Sequence, residues 1–298
     1  MTEQVAAIDA WMTILSPATA QRWPDSFWHI FRKYGVEERF RKGFTLDEII
    51  AEMDAAGVGI GVASAFKFLD TWVVTNDETA AYVKEAPDRF IGSFTVDIRD
   101  PMPAIREFRR CVEELDMKVF RLEPYQYGDG RTTAPPPTDR MYWPFYVACV
   151  EYDIPVAIQV GHTGPLLPSE CGRPIHLDEV ALTFPELTIL GTHNGDPWVE
   201  EMMILAWKHP NVYIESSARR ARYWSDSLKK FAGGYGQDKM IWGTDYPLLP
   251  FSCVEDVYAC NFSEEATRKI LRDNAARVFG IDGQEPDEQH PDEQDPDG

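Results

Sequence analysis

The 298-residue sequence predicts a (β/α)8 barrel, a TIM barrel, on three observations. Eight short apolar, β-branched runs recur along the chain, and amphipathic helical patterns stand between them. A doubly wound open sheet would also alternate, but neither GxGxxG nor GxxxxGKS/T follows any of the runs.

The first run is Val5-Ala6-Ala7-Ile8. The others cover residues 60–66, 90–96, 118–122, 155–160, 187–191, 212–215 and 240–243. Their apolar character is too continuous for strands with one wet face, which suits strands covered on both sides. A helix over 45–53 opens with a capping box from Thr45 to Glu48. Helical patterns follow over 77–84, 102–115, 142–152, 177–184 and 198–208. Asp196-Pro197 offers the last of these an N-cap and a first-turn proline. Residues 223–231 and 254–259 come next, then a closing helix over 263–279 with Gly280 as its stop. Segments 35–43 and 124–139, the latter with Pro135-Pro136-Pro137, read as insertions over the barrel mouth. No repeat or linker divides the chain, so residues 1–280 are expected to form one domain.

Composition narrows the functional classes. Apolar residues make up 44% and charged residues 26%, an ordinary globular balance, but the net charge is −20. That argues against a general nucleic-acid binder and against an anionic membrane surface as partner. No Lys or Arg follows Arg277, and residues 281–298 hold eight acids in a Pro-Asp-Glu-Gln theme, read as a disordered tail. The five cysteines, odd in number and without a CxxC, suggest neither a disulfide framework nor a zinc knuckle. Met1-Thr2-Glu3-Gln4 has no basic region before an apolar run, and no apolar stretch reaches the roughly 18 residues of a membrane span. A soluble, cytoplasmic protein is expected.

In a barrel, chemistry gathers at the C-terminal ends of the strands. His162 stands after the fifth run, His193 after the sixth and Asp245 after the eighth. Imidazole ligates metals or shuttles protons near neutral pH, and carboxylate ligates or takes a proton from water. Arg121 and Arg219 could clamp a carboxylate. Each also has a plainer role, Arg121 pairing with Glu123 and Arg219 lying in the charged run Arg219-Arg220-Ala221-Arg222. Trp11, at the mouth, could stack on a conjugated substrate or simply fill space. Trp23, Phe27, Trp28, Phe31 and Tyr34 make the N-terminal insertion aromatic, as a satellite core, a lid over an apolar ligand or a dimer surface. His29, His176, His209 and His290 have no comparable context.

Three runs of sequence carry a resemblance: Gly161-His162-Thr163-Gly164-Pro165, Gly191-Thr192-His193-Asn194-Gly195 with Pro197-Trp198, and Trp242-Gly243-Thr244-Asp245-Tyr246-Pro247. In this order they resemble the amidohydrolase-related superfamily, in particular its branch of aminocarboxymuconate-semialdehyde decarboxylase-like barrels. The resemblance implies one divalent metal, zinc or manganese, held by a His-x-His pair after strand 1, by the His at 162 and by the Asp at 245. It implies a catalytic or polarising role for His193. The strand 1 pair is missing: after Asp9 the chain offers Trp11 and Thr13. A metal site would need His162, His193 and Asp245, with an oxygen from Asp9. The metal-free route has Asp245 as base and His162 and His193 polarising a carbonyl.

The leading expectation is a hydrolase of a small cyclic ester, amide or other carbonyl compound. The alternatives are a non-oxidative decarboxylase, in which His193 protonates the carbanion left by CO2, and a non-catalytic ligand-binding barrel. The expected partner is a small molecule, aromatic or carboxylated, with a homodimer as the assembly suggested.

Overall fold

The computed structural model describes residues 5–281, so the acidic tail expected from residue 281 onward lies, but for Ile281, outside the described residues. Ten strands occur among them: β1 (Ala7–Met12), β2 (Val58–Ser64), β3 (Phe66–Phe68), β4 (Thr71–Val74), β5 (Phe90–Phe94), β6 (Val119–Leu122), β7 (Val156–Gln159), β8 (Ile189–Thr192), β9 (Val212–Glu215) and β10 (Met240–Ile241). Eight form one parallel sheet in the order β1-β2-β5-β6-β7-β8-β9-β10. The seam between its ends is bridged by single bonds. Ala10 N–H donates to the Trp242 carbonyl at 3.1 Å, Asp245 N–H to that of Trp11 at 2.8 Å, and Thr13 N–H to that of Tyr246 at 2.9 Å. The result is the (β/α)8 barrel that the alternating runs predict.

The apolar runs mark all eight barrel strands, with edges displaced by a few residues. The first strand runs on to Met12, so Asp9 and Trp11 lie within it rather than beyond its end. The antiparallel hairpin β3–β4 was not expected. It turns through Leu69 and Asp70, Leu69 taking a positive φ of 50°. Asp196 does not cap the helix Val199–Lys208: the cap position is Trp198, and Asp196 turns its carboxylate to Arg219 instead. The capping box at Thr45 forms as expected, with both of its reciprocal bonds.

Burial has layers. Ile8, Ala10, Val62, Val119, Ala157, Leu190 and Ile241 form an interior cluster, with Ala275, Ala276 and Phe279 of the last helix packed against it. Two residues further along the strands, on the same face, stand Ser64, Ser93, Arg121, Gln159, Thr192 and Glu215, all buried. The apolar floor therefore gives way to a polar layer as the strands approach their C-terminal ends. Above it, the segment from Thr19 to Lys42 and the hairpin build a second apolar cluster around Phe27, Phe31, Phe40, Phe66 and Phe68. Among the described residues no helix is long and apolar enough to cross a membrane.

Candidate active site

The site begins with the backbone. His193 follows directly on β8, and Asp245 stands four residues past the end of β10, with φ of 60° and 62°; Asn194 and Ala218 share this left-handed region. Such conformations cost a non-glycine residue about 1–3 kcal/mol and persist only where the surroundings enforce them. At Asp245 the enforcement is visible. Asp9 accepts from the N–H groups of Thr244, at 2.9 Å, and Trp11, at 3.1 Å, and the Thr244 hydroxyl donates to its second oxygen. Thr244 Oγ1 in turn accepts from Tyr246 N–H at 2.8 Å. Asp9 thus ties β1 to the loop that carries Asp245. Burial pushes its carboxyl up to about 7 despite these bonds.

Asp245 is also raised to about 7, first by burial, with Glu123 and Asp9 adding like charge and Arg121 opposing them. The Trp11 indole N–H lies near enough to lower it a little, but outside hydrogen-bond geometry. His193 goes the other way. Burial, then the positive charges of Arg219 and Arg121, hold it near 3, so the ring is neutral at any ordinary pH. Its Nδ1 lies 2.8 Å from Ser217 Oγ and 3.2 Å from the Ser217 carbonyl. A carbonyl only accepts, so Nδ1 bears the hydrogen and Nε2 keeps its lone pair. Ser217 passes its own hydrogen to Glu215 Oε2 at 2.6 Å, and Glu215 Oε1 accepts from Ser217 N–H at 2.7 Å. Glu215 is buried and raised to about 8. A side chain at position 243 would collide with it, which is why glycine follows Trp242.

Arg121 rises from β6 and is buried. Its Nε donates to Glu123 Oε1 at 3.0 Å, and Gln126 holds the other oxygen of that carboxylate. The guanidinium lies 4.1 Å from the centre of the Trp11 ring and 4.8 Å from that of Phe66. Trp11 packs edge-on to His193, with ring centroids 5.7 Å apart. Arg121, Glu123, His193 and Asp245 all face one pocket. Trp23, Phe27, Phe31, Phe40 and Phe66 complete its wall. The aromatic insertion is therefore both a satellite core and the roof of a pocket. Trp11 does not line it: the ring is 1% exposed and lies under Arg121, filling space.

His162 and Arg219 form a separate cluster on the rim. Gly161, at a φ of 88° with the Asp196 backbone too close to admit a side chain, turns the chain away after β7. His162 remains 44% exposed. Arg219 donates to His162 Nδ1 at 2.9 Å, to Asp196 at 3.0 Å and to the Tyr34 hydroxyl at 3.1 Å. It is a tied residue rather than a member of a solvated run, and it faces an outer groove with Tyr34, Arg220 and Trp224. Burial and Arg219 lower the pKa of His162.

A divalent metal does not fit these residues. Among the described residues no group of three or more His, Cys, Asp or Glu is placed to hold one. His162, His193 and Asp245 are thus not assembled as a ligand set, because His162 is drawn to the rim. Both Asp9 oxygens are spent on Thr244 and Trp11. Trp11 and Thr13 offer no imidazole where the resemblance implies two.

The family model for amidohydrolases matches residues 8–281. The chain belongs to the amidohydrolase family. Its relatives correct the expected reaction. Gamma-resorcylate decarboxylase of a Polaromonas species is 24% identical over 87% of this chain and 92% of its own length. The 2-amino-3-carboxymuconate-6-semialdehyde decarboxylase of Dictyostelium discoideum is 25% identical over 72% of this chain and 67% of its own. These relatives are enzymes, and they are decarboxylases, which overturns the hydrolase expectation. Among solved structures, 5-carboxyvanillate decarboxylase of Novosphingobium aromaticivorans superposes with a TM-score of 0.72 at 19% identity, covering 93% of this chain and 96% of its own. That protein was crystallised with manganese and 4-hydroxy-3-methoxy-5-nitrobenzoic acid.

Sequence reasoning missed the Glu215–Ser217–His193 chain, the Asp9 brace and the contribution of Phe66. The first had a signal: an acid and a serine two apart at the end of a strand, so that both face the mouth.

Proposed function

We propose that this chain is a non-oxidative decarboxylase of a small hydroxylated aromatic carboxylate. The observation that carries the reading is the buried Asp245 carboxyl, raised to about 7, on an aromatic-walled pocket that it shares with a neutral imidazole. A carboxyl that keeps its proton near neutral pH can donate it, and a neutral imidazole with a free lone pair can accept. The roles expected from the sequence are therefore exchanged: Asp245 is the acid and His193 the acceptor. The decarboxylases among the relatives support the same reaction class.

The substrate ring packs among Phe27, Phe31, Phe40 and Phe66. A ring hydroxyl donates to His193 Nε2, which draws electron density from oxygen into the ring. Asp245 delivers its proton to the ring carbon that bears the carboxylate, forming the C–H bond. The C–C bond then breaks, its electron pair restores aromaticity, CO2 leaves, and solvent returns a proton to Asp245. No water adds to the substrate.

The test is incubation with 2,6-dihydroxybenzoate and 5-carboxyvanillate in D2O, following CO2 by mass spectrometry and the ring by proton NMR. One CO2 per product, with deuterium at the vacated carbon, is expected, and Asp245→Asn should lower the rate at least 10³-fold. Absence of CO2 from either acid, or equal rates in Asp245→Asn, would sink the reading.

A further inference from the structure

We propose that the Arg121 guanidinium supplies, from within the chain, the fixed positive charge that receives the substrate's carboxylate, and that this site works without a divalent metal. The inference rests on the decarboxylase reading for its choice of ligand and deepens it. Four observations carry it.

Arg121 is the cation among the residues lining the pocket, and it stands there with Asp245 and His193. The guanidinium is held rather than mobile: the Trp11 and Phe66 rings pack against it, and Glu123 takes its Nε and Nη2. A pre-positioned planar donor loses little freedom when a carboxylate arrives. Nη1 has no hydrogen-bond partner although it is buried, and a donor left so is an unmet demand for an acceptor. Finally, the chain gives up the ligands a metal would need at this place. Trp11, at a position where the resemblance implies a metal-binding histidine, is the ring the guanidinium packs on. The side chain that removes a ligand thus also seats the replacing charge.

Glu123 balances Arg121, so the pair is neutral until an anion binds at Nη1. A carboxylate there is oriented by one charge-assisted donor and lies beside the proton-bearing Asp245. Arg121 forms no covalent bond and transfers no proton in this role.

The test uses the full chain, stripped with EDTA, dialysed against manganese or zinc and desalted. Metal is counted by plasma mass spectrometry, and 2,6-dihydroxybenzoate binding is measured by calorimetry. Retained metal below about 0.1 per chain is expected, with the dissociation constant of EDTA-treated and manganese-treated protein agreeing within about twofold. Arg121→Gln should weaken binding about tenfold or more, since a hydrogen bond to a charged group is lost. Because Arg121→Gln strands Glu123, the double variant Arg121→Gln/Glu123→Gln, which leaves no unpaired buried charge, should show the same loss with an intact circular dichroism spectrum. One retained metal per chain that binding requires, wild-type affinity in the double variant, or failure of the wild-type chain to bind the acid would overturn the inference. Metal-independent binding without CO2 release would leave it standing and remove the decarboxylase reading. CO2 release that needs added manganese would do the reverse.

Discussion

Ser217 Oγ stands 2.8 Å from His193 Nδ1, and this contact, with the serine's own carbonyl 3.2 Å away, decides which nitrogen of the ring is left to accept. The chain continues to the buried Glu215. Ser217→Ala removes the hydroxyl but leaves the carbonyl, so Nδ1 keeps its hydrogen and loses its better partner. We expect kcat to fall about tenfold with little change in KM, because the ring is less firmly aimed while the pocket is unaltered. Nitrogen NMR of labelled histidine should still show the Nδ1–H tautomer. A wild-type kcat in Ser217→Ala would mean that the serine hydroxyl does not aim the ring.

The pH profile follows from which residue holds the proton. Asp245 is protonated below about 7, and His193 is neutral above about 3. Both conditions hold between these values, so kcat should be level from about 3 to about 7. Above it kcat should fall about tenfold per pH unit as the acid ionises. A profile that rises through 7 and stays high at pH 9 would mean that Asp245 acts as a base.

Glu215 makes a statement about stability whose sign can be worked out. Its carboxyl titrates near 4.5 when exposed and near 8 in the fold. Between these values the folded chain keeps a proton that the unfolded chain has released, so stability falls as pH rises through the window. Asp9 and Asp245, both raised to about 7, act in the same direction. His193, lowered from 6.5 to about 3, acts oppositely, but its window closes below neutrality. From pH 7 to 8, above the windows of His193, Asp9 and Asp245, Glu215 is therefore the main remaining contributor, and the melting temperature should fall. Glu215→Gln should flatten that fall, each pH unit inside the window being worth about 1.4 kcal/mol for one group. An unchanged slope in Glu215→Gln would place its proton elsewhere.

How much of this was legible depends on which interactions are local. The β-branched runs marked the barrel strands because strands covered on both faces must be apolar throughout. His193 and Asp245 come to one pocket because each stands two residues past such a run, where a barrel puts its mouth. His162 has the same sequence context, yet the turn at Gly161 and the pull of Arg219, 57 residues away, take it to the rim. Nothing in the order of residues announces that pair. Arg121 and Glu123 could be read as partners from their spacing alone, but Trp11 and Phe66 come to the guanidinium from β1 and the hairpin. The hairpin was missed because Phe66-Lys67-Phe68 is a short alternation at the end of a longer apolar run, and its turn residues carry no glycine.

Phe31 tests the roof. Its ring stacks on Phe40 at 3.7 Å with 16° between the planes, and both line the pocket. Trp23 meets Phe31 edge-on at 5.0 Å. Phe31→Ala would empty a place in the satellite core, at a cost of about 3–5 kcal/mol, and confuse binding with folding. Phe31→Leu keeps most of the volume and removes the aromatic face. A lost ring contact is worth about 0.5–1.5 kcal/mol, so KM for an aromatic acid should rise roughly two- to tenfold with kcat nearly unchanged. The effect should vanish for a non-aromatic carboxylate of similar size, since that ligand has no ring to stack. Equal losses for both would mean that Phe31 shapes the pocket without touching what it holds.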